Sequence, residues 1–212
     1  MRFLTIILTF AAFSFTSFGQ DAQADAILDK LSKDIKGLES FYIEFSATVK
    51  NSDSDSKSSM SGKGWVKGDK YYASFGDNTV ISNGIKTWTI IKEEKTVYVT
   101  DADEEDEESV NPKKLMTIWE NGFKSKYSKK TKIGGESVHK IYLYPKNTKV
   151  DYTYIVLYIS ESTNELKRVI MSMRDQTKMT YNLKKFTSNP SVENSKFVFS
   201  KAKYPGYTVI ED

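Results

Sequence analysis

The chain predicts a mainly β protein with few helices, an α+β fold whose antiparallel strands form a strongly curved sheet partly closed into a barrel. Three observations point there. After residue 40, apolar and polar residues alternate through most of the chain, the period of a half-buried strand. The alternating runs are short and separated by Gly, Asn and Asp clusters, with Asn83-Gly84 the strongest hairpin signal. Nowhere does a strand alternate with a long helix, which argues against a parallel βαβ layout.

Taken in order, Met1-Arg2 and the apolar, small-residue run that follows have the layout of a secretory signal peptide over residues 1–19, with Ser17 and Gly19 before a cut at Gln20. Residues 20–212 then form a single domain with a formal charge of +2, because removal of Arg2 lowers the full-chain value of +3. Ala24, Ile27, Leu28, Leu31, Ile35 and Leu38 recur at three- and four-residue steps and predict one amphipathic helix. In the next strand Phe41, Ile43, Phe45, Ala47 and Val49 share a face. Further strands are expected at Met60–Val66, Lys70–Phe75, Thr79–Ser82, Thr87–Ile91 and Thr96–Thr100. After the acidic run Asp101 to Glu108, "PKKLMTIWEN" (Pro112 to Asn121) predicts a short second helix with proline near its start and Gly122 beyond its end. Strands resume at Lys140–Tyr144, Tyr152–Ile159, Leu166–Met173 and Thr177–Phe186, and Pro205-Gly206 turns the C-terminal stretch.

Composition excludes several chemistries. With no cysteine there is no disulfide framework, thiolate nucleophile or sulfur-ligated metal. A single histidine, His139, cannot build a two- or three-histidine centre and is expected at a strand edge or the surface. No serine occupies a nucleophile elbow and no carboxylate pair stands out, so an enzyme is not expected and neither is a cofactor. The small net charge gives no general signal for nucleic acid. The acidic run lacks the glycine and spacing of a calcium loop and reads as a solvated linker. "GFKSKYSKK" (Gly122 to Lys130) is basic with aromatics interleaved, and either balances that run or touches phosphate or an anionic membrane.

The aromatics are the remaining signal. Tyr71 and Phe75 share one strand face and Tyr72 lies on the other, so alternation alone does not explain them. They are open to three readings: ordinary core, a stacking platform for sugar, or the wall of an apolar cavity. Ile81, Ile90, Ile91, Met171 and Met173 supply soft apolar surface that disfavours a purely polar ligand.

The ordered series "ILDKLSKDIKGLESFYIEFSATV", "SGKGWVKGDKYYASF", "ISNGIKTWTIIKEEKTVYV" and the closing stretch from "NELKRVIMSM" to "YPGYTVIED" resembles the periplasmic outer-membrane lipoprotein carriers of the LolA type, in a divergent Bacteroidetes-like form. That resemblance implies an incomplete antiparallel barrel with a helical lid over a hydrophobic cavity. It implies a soluble, monomeric periplasmic protein that takes lipoprotein acyl chains from an inner-membrane ABC lipoprotein-releasing complex. Delivery would be to an outer-membrane acceptor or the membrane itself. Cavity positions would then be Phe45, Trp65, Tyr72, Phe75, Ile81, Trp88, Ile90, Met171 and Met173, and lid positions Leu115, Met116, Ile118 and Trp119. Two departures stand out: the family's arginine in the second hairpin strand is replaced here by Tyr72, which puts the handover step in question, and the acidic run is not part of the family pattern. A lipid- or lipoprotein-binding sensor domain, and below it a carbohydrate-binding or structural module, are the alternatives.

Overall fold

A computed structural model describes residues 21–54, 56–102 and 116–211. The leader expected at 1–19, acidic positions 103–108 and the lid position Leu115 lie outside the described residues.

The helical period near the N-terminus becomes α1, Ala22–Lys36. Asp21 caps it, one carboxylate oxygen accepting from the Gln23 and Ala24 N–H groups at 3.1 and 3.2 Å. The other oxygen accepts from the Tyr127 N–H at 2.8 Å, so the cap also ties the helix to the sheet. Lys33 and Lys36 in the last turn complement the helix dipole. Ala24, Leu28, Leu31 and Ile35 are buried, the inward face that the sequence marks.

The strands are β1 (Ser40–Asn51), β2 (Lys57–Lys67), β3 (Lys70–Phe75), β4 (Asn78–Ser82), β5 (Lys86–Ile91) and β6 (Thr96–Asp101), then β7 (Phe123–Ile133), β8 (Glu136–Pro145), β9 (Tyr152–Ser160), β10 (Leu166–Met173), β11 (Thr177–Ser188) and β12 (Thr208–Glu211). They form one sheet in the order β12-β6-β5-β4-β3-β2-β1-β11-β10-β9-β8-β7. Two antiparallel meanders therefore join where β1 pairs with β11, and β12 adds to β6 in parallel. One buried cluster holds Tyr71 and Val80 from one meander, Phe123, Ile141 and Leu157 from the other, and the inward face of α1. Strands this far apart in the sheet can share one core only because the sheet curls around it.

The structure differs from expectation at four places. Residues 123–133 are a full edge strand, not merely a basic segment; Phe123, Ser125 and Tyr127 alternate, but five interleaved lysines hide the pattern by charge. Lysine on an exposed edge blocks pairing with another sheet, which gives the basic run a structural reason. The C-terminal strand β12 is parallel, where only antiparallel pairing was expected. The expected helix at Pro112–Asn121 is not helical where described: residues 116–119 are successive turns. His139 sits half-buried on β8, an internal strand, with its Nδ1 3.3 Å from the Tyr127 hydroxyl, rather than at an edge.

A close approach requires glycine at a half-buried position of β2. Gly62 on β2 faces Phe45 and Phe75, and a Cβ there would come within 2.3 Å of the Phe45 ring and 2.9 Å of the Ser74 carbonyl oxygen. The ring could swing aside but the carbonyl cannot. Gly62→Ala is accordingly expected to lower the unfolding free energy by about 1–3 kcal/mol in a denaturant titration. A second expectation concerns Asp21, whose hydrogen bonds, led by the one from Tyr127, hold its carboxyl below the ordinary value against the opposing pull of burial. A depressed folded value means that the stabilisation is complete above the ordinary aspartate range and lost as pH falls through the folded one. Asp21→Ala should cost about 1 kcal/mol at neutral pH, and the gap between the two proteins should close in acid.

Candidate functional site

The concave face of the sheet, α1 and the turns at residues 116–120 enclose the chain's apolar interior. At its centre is a hollow of about 50 Å³ lined by Ile43, Phe45, Met116, Ile118, Val169, Met171, Tyr181 and Leu183. That is room for a few water molecules, and the lining is almost wholly apolar, so the space is dry. Three larger recesses surround it. One of about 220 Å³ lies between α1 and the β9–β10 turn and reaches Met116. One of about 370 Å³ lies between the end of α1 and the start of β1, against Thr117 and Glu120. The third, about 430 Å³ and polar, is bounded by Asp25, Asp29 and Ser32 of α1 and by Trp119 and Glu120. The short stretch Met116–Glu120 is thus the partition between four hollows.

Two side-chain contacts tie that partition to α1. The Trp119 indole N–H donates to the Ser32 hydroxyl at 2.8 Å, and Lys36 pairs with Glu120 at 2.9 Å. Met116 and Trp119 are buried and Ile118 is half-buried. The second Glu120 carboxylate oxygen, Oε1, is buried without a hydrogen-bond partner, an unfavourable placement in this closed arrangement. The helix itself is fastened to the sheet at both ends, by Asp21 to β7 and by Asp34, which accepts from Asn164 at 2.8 Å on the β9–β10 turn. The neutral Trp119–Ser32 bond contributes about 1 kcal/mol and the Lys36–Glu120 pair, its lysine largely exposed, about as little, so apolar burial dominates the closure by the Met116–Glu120 stretch.

Strand register divides the expected cavity positions. Phe45, Met116, Ile118 and Met171 line the central hollow, and Phe75 and Trp119 belong to the same apolar cluster. Ile81, Ile90, Tyr72 and Trp88 belong to a second cluster on the opposite face. Trp65 joins them there, because Tyr42, Trp65, Tyr72, Ile81 and Trp88 are successive cross-strand neighbours. Met173 is half-buried at the end of β10 and in neither cluster. Four lining residues were not singled out from sequence: Ile43, Val169, Tyr181 and Leu183. The alternation of Val169 with Met171 and of Tyr181 with Leu183 was visible, but which face of a strand meets the helix was not.

The opposite-face cluster is covered by the C-terminal stretch. Phe199 stacks on Trp88 at 6.1 Å and Tyr204 on Phe199 at 5.5 Å. The Lys196 ammonium sits between two rings, 4.0 Å from the Trp65 centroid and 4.2 Å from that of Tyr72. Burial, with Lys63 and Lys203 nearby, pulls its pKa below the ordinary lysine value. Next to it the Tyr42 hydroxyl donates to Glu44 at 2.7 Å; burial first, then this carboxylate, pushes its pKa up to about 12. No group of three His, Cys, Asp or Glu side chains is placed to hold a metal among the described residues, nor is any described helix long and apolar enough to cross a membrane.

The family model for the outer membrane lipoprotein carrier protein LolA matches residues 15–177 of the chain. No curated protein matches it. Among solved structures, an uncharacterised conserved protein from Thermus thermophilus has a TM-score of 0.57 at 10% identity, over 90% of this chain and 99% of that one, which is a likeness of fold. Weaker likenesses are a LolA superfamily protein from Nitrosomonas europaea, at a TM-score of 0.44 and 10% identity over 83% of this chain and 97% of that one, and the Mycobacterium tuberculosis lipoprotein LppX, at 0.42 and 16% over 80% and 99%.

The position of Tyr72 generates a test. An arginine there would set a guanidinium beside Lys196 and remove one face of its aromatic cage. Tyr72→Arg should therefore loosen the C-terminal stretch, and tryptic cleavage at Lys201 and Lys203 should run roughly fivefold to tenfold faster, the equivalent of one lost cation–π contact. An unaltered cleavage rate would mean that Lys196 does not hold this stretch down.

Proposed function

The chain belongs to the outer membrane lipoprotein carrier protein LolA family, and we propose that it is a periplasmic carrier that shelters the acyl chains of lipoproteins between the inner and outer membranes. One observation supports this reading above the others: Met116–Glu120 separates four hollows that would merge if it withdrew. In the closed form the central space is too small for an acyl chain. Cargo has to displace the partition, and the magnitudes allow it. The side chains of Met116, Ile118 and Trp119 are worth roughly 1.5–3 kcal/mol each in burial. A single acyl chain of about fifteen methylenes, fully buried, is worth roughly 12 kcal/mol. One chain therefore outweighs the partition it displaces, and no bond needs to be made or broken.

Release follows from the same balance. The cargo leaves only toward a comparably apolar environment, an outer-membrane acceptor or the bilayer itself, while loading takes place at the inner-membrane ABC lipoprotein-releasing complex. The protein works as a monomer without a cofactor. The withdrawal of Ser32–Trp119 and Lys36–Glu120 is the motion that loading requires, and it would relieve the buried Glu120 oxygen.

The chain has no cysteine of its own, so a cysteine pair introduced by Lys36→Cys and Glu120→Cys can be bridged selectively with a short bismaleimide. Unbridged protein, which lacks the Lys36–Glu120 pair, should bind a fluorescent triacylated cysteine peptide at least as tightly as the parent does. Bridged protein, with an unchanged circular dichroism spectrum, should lose at least tenfold in affinity. Equal binding by the bridged protein would sink the displacement mechanism, and no binding by the parent would sink the carrier role.

A further inference from the structure

The face of β7–β10 that points away from the hollow is laid out in three cross-strand rows. Lys129, Lys140, Tyr158, Arg168 and Asn182 are successive partners in one. Lys126, Tyr142, Val156, Ile170 and Thr180 form the next. In the third, Lys124 pairs with Tyr144, and Tyr154 with Ser172 and Lys178. No carboxylate stands in any of the three rows, although the whole chain is nearly balanced in charge.

The tyrosines are assembled, not scattered. Tyr142 and Tyr144 are stacked at 6.1 Å with ring planes 9° apart, and Tyr154 tilts against both, at 5.7 and 6.4 Å. Lys140 lies over Tyr142 at 4.7 Å and Arg168 over Tyr158 at 5.8 Å. Tyr144 is 41% exposed. The edge-strand role of the β7 lysines accounts for Lys124, Lys126 and Lys129 alone. It does not account for an aromatic cluster with its own cations on the internal strands β8, β9 and β10.

We propose that this face is a docking surface for anionic phospholipid bilayers. Tyrosine offers an apolar ring with a polar tip, the chemistry that settles at the headgroup level. Lysine and arginine around it meet lipid phosphates. None of the four hollows is lined by the tyrosines or cations of this face, so the described residues offer a flat surface and not one of those pockets. An acidic peptide would be read by a cluster of arginines or added to the free edge of β7, whereas these rows hold one arginine, Arg168, and their tyrosines stand on the paired strands β8 and β9. Val156 is buried and Ile170 half-buried, so no long aliphatic wedge projects and the association is salt-sensitive adsorption, not insertion. The inference stands on the opposite face from the acyl-chain hollow and does not depend on the carrier reading.

The test is flotation of residues 20–212 with vesicles. Binding is expected to phosphatidylethanolamine vesicles containing phosphatidylglycerol, to weaken steeply with salt, and to be absent with phosphatidylcholine alone. Each neutralised cation near the surface removes about fivefold, so Lys124→Gln, Lys126→Gln and Lys129→Gln together should cost about a hundredfold. Because that set also strips the guarded edge, a second set on internal strands, Lys140→Gln with Arg168→Gln, should cost about twentyfold. If either set keeps the parent's circular dichroism and binds like the parent, the proposal fails. It fails too if the parent ignores anionic vesicles, or binds soluble polyglutamate in preference to them, which would assign the face to acidic proteins.

Discussion

The pairing of β1 with β11 is the contact on which the rest depends. It joins two meanders, β1–β6 and β7–β11, into one sheet too large to stay flat, with a register shift opposite Glu44 and Phe45 where β11 carries the extra residue Lys184. Twist accumulates with every strand added, and a long open sheet relieves it by curling. The curl gathers Tyr71 and Val80 from one wing with Phe123 and Leu157 from the other. An apolar trough results, and something other than sheet must cover it. One fifteen-residue helix cannot do so alone, so the turns at Met116–Glu120 complete the cover.

The turns of this cover are tied to α1 by side-chain contacts and not by a strand ladder. The ladder bonds between strands open only with the sheet, whereas the Ser32–Trp119 and Lys36–Glu120 contacts can part without disturbing it. Parting of these contacts leaves the strand ladder intact. Local openings of this kind draw on the low end of a protein's stability range.

The two faces of the sheet have separated tasks. Around the central hollow the trough is lined by aliphatic and aromatic side chains; on the other side aromatics are paired with cations, and near β4–β6 also with buried Ile81, Ile90, Val97 and Val99. Near β2–β5 those aromatics hold the C-terminal stretch by stacking and by the Lys196 cage, and β12 then covers the outer edge of β6. Near β8–β9 similar chemistry is left facing solvent. The same residue types serve as core, clasp and exposed surface, according to which side of a strand each occupies.

That division explains what could be read in advance. The periods of 3.6 and 2 marked α1 and most of the strands, because each element's apolar face is written in its own consecutive residues. The hairpin turns were equally local: Asn83 accepts from the Ile85 and Lys86 N–H groups at 2.8 Å, and Gly84 adopts φ +86°. β7 escaped notice because charge masked its alternation, and the parallel β12 because its partner lies a hundred residues away. Phe45 and Met171 could be proposed as wall, but so could Trp65, Tyr72 and Trp88, which face the other way. The sequence by itself determined the class of fold, the helix face and the apolar supply for a core. Only the tertiary structure decided which aromatics meet the helix and which meet the C-terminus, because the side of a strand that becomes interior is set by the direction in which the whole sheet curls.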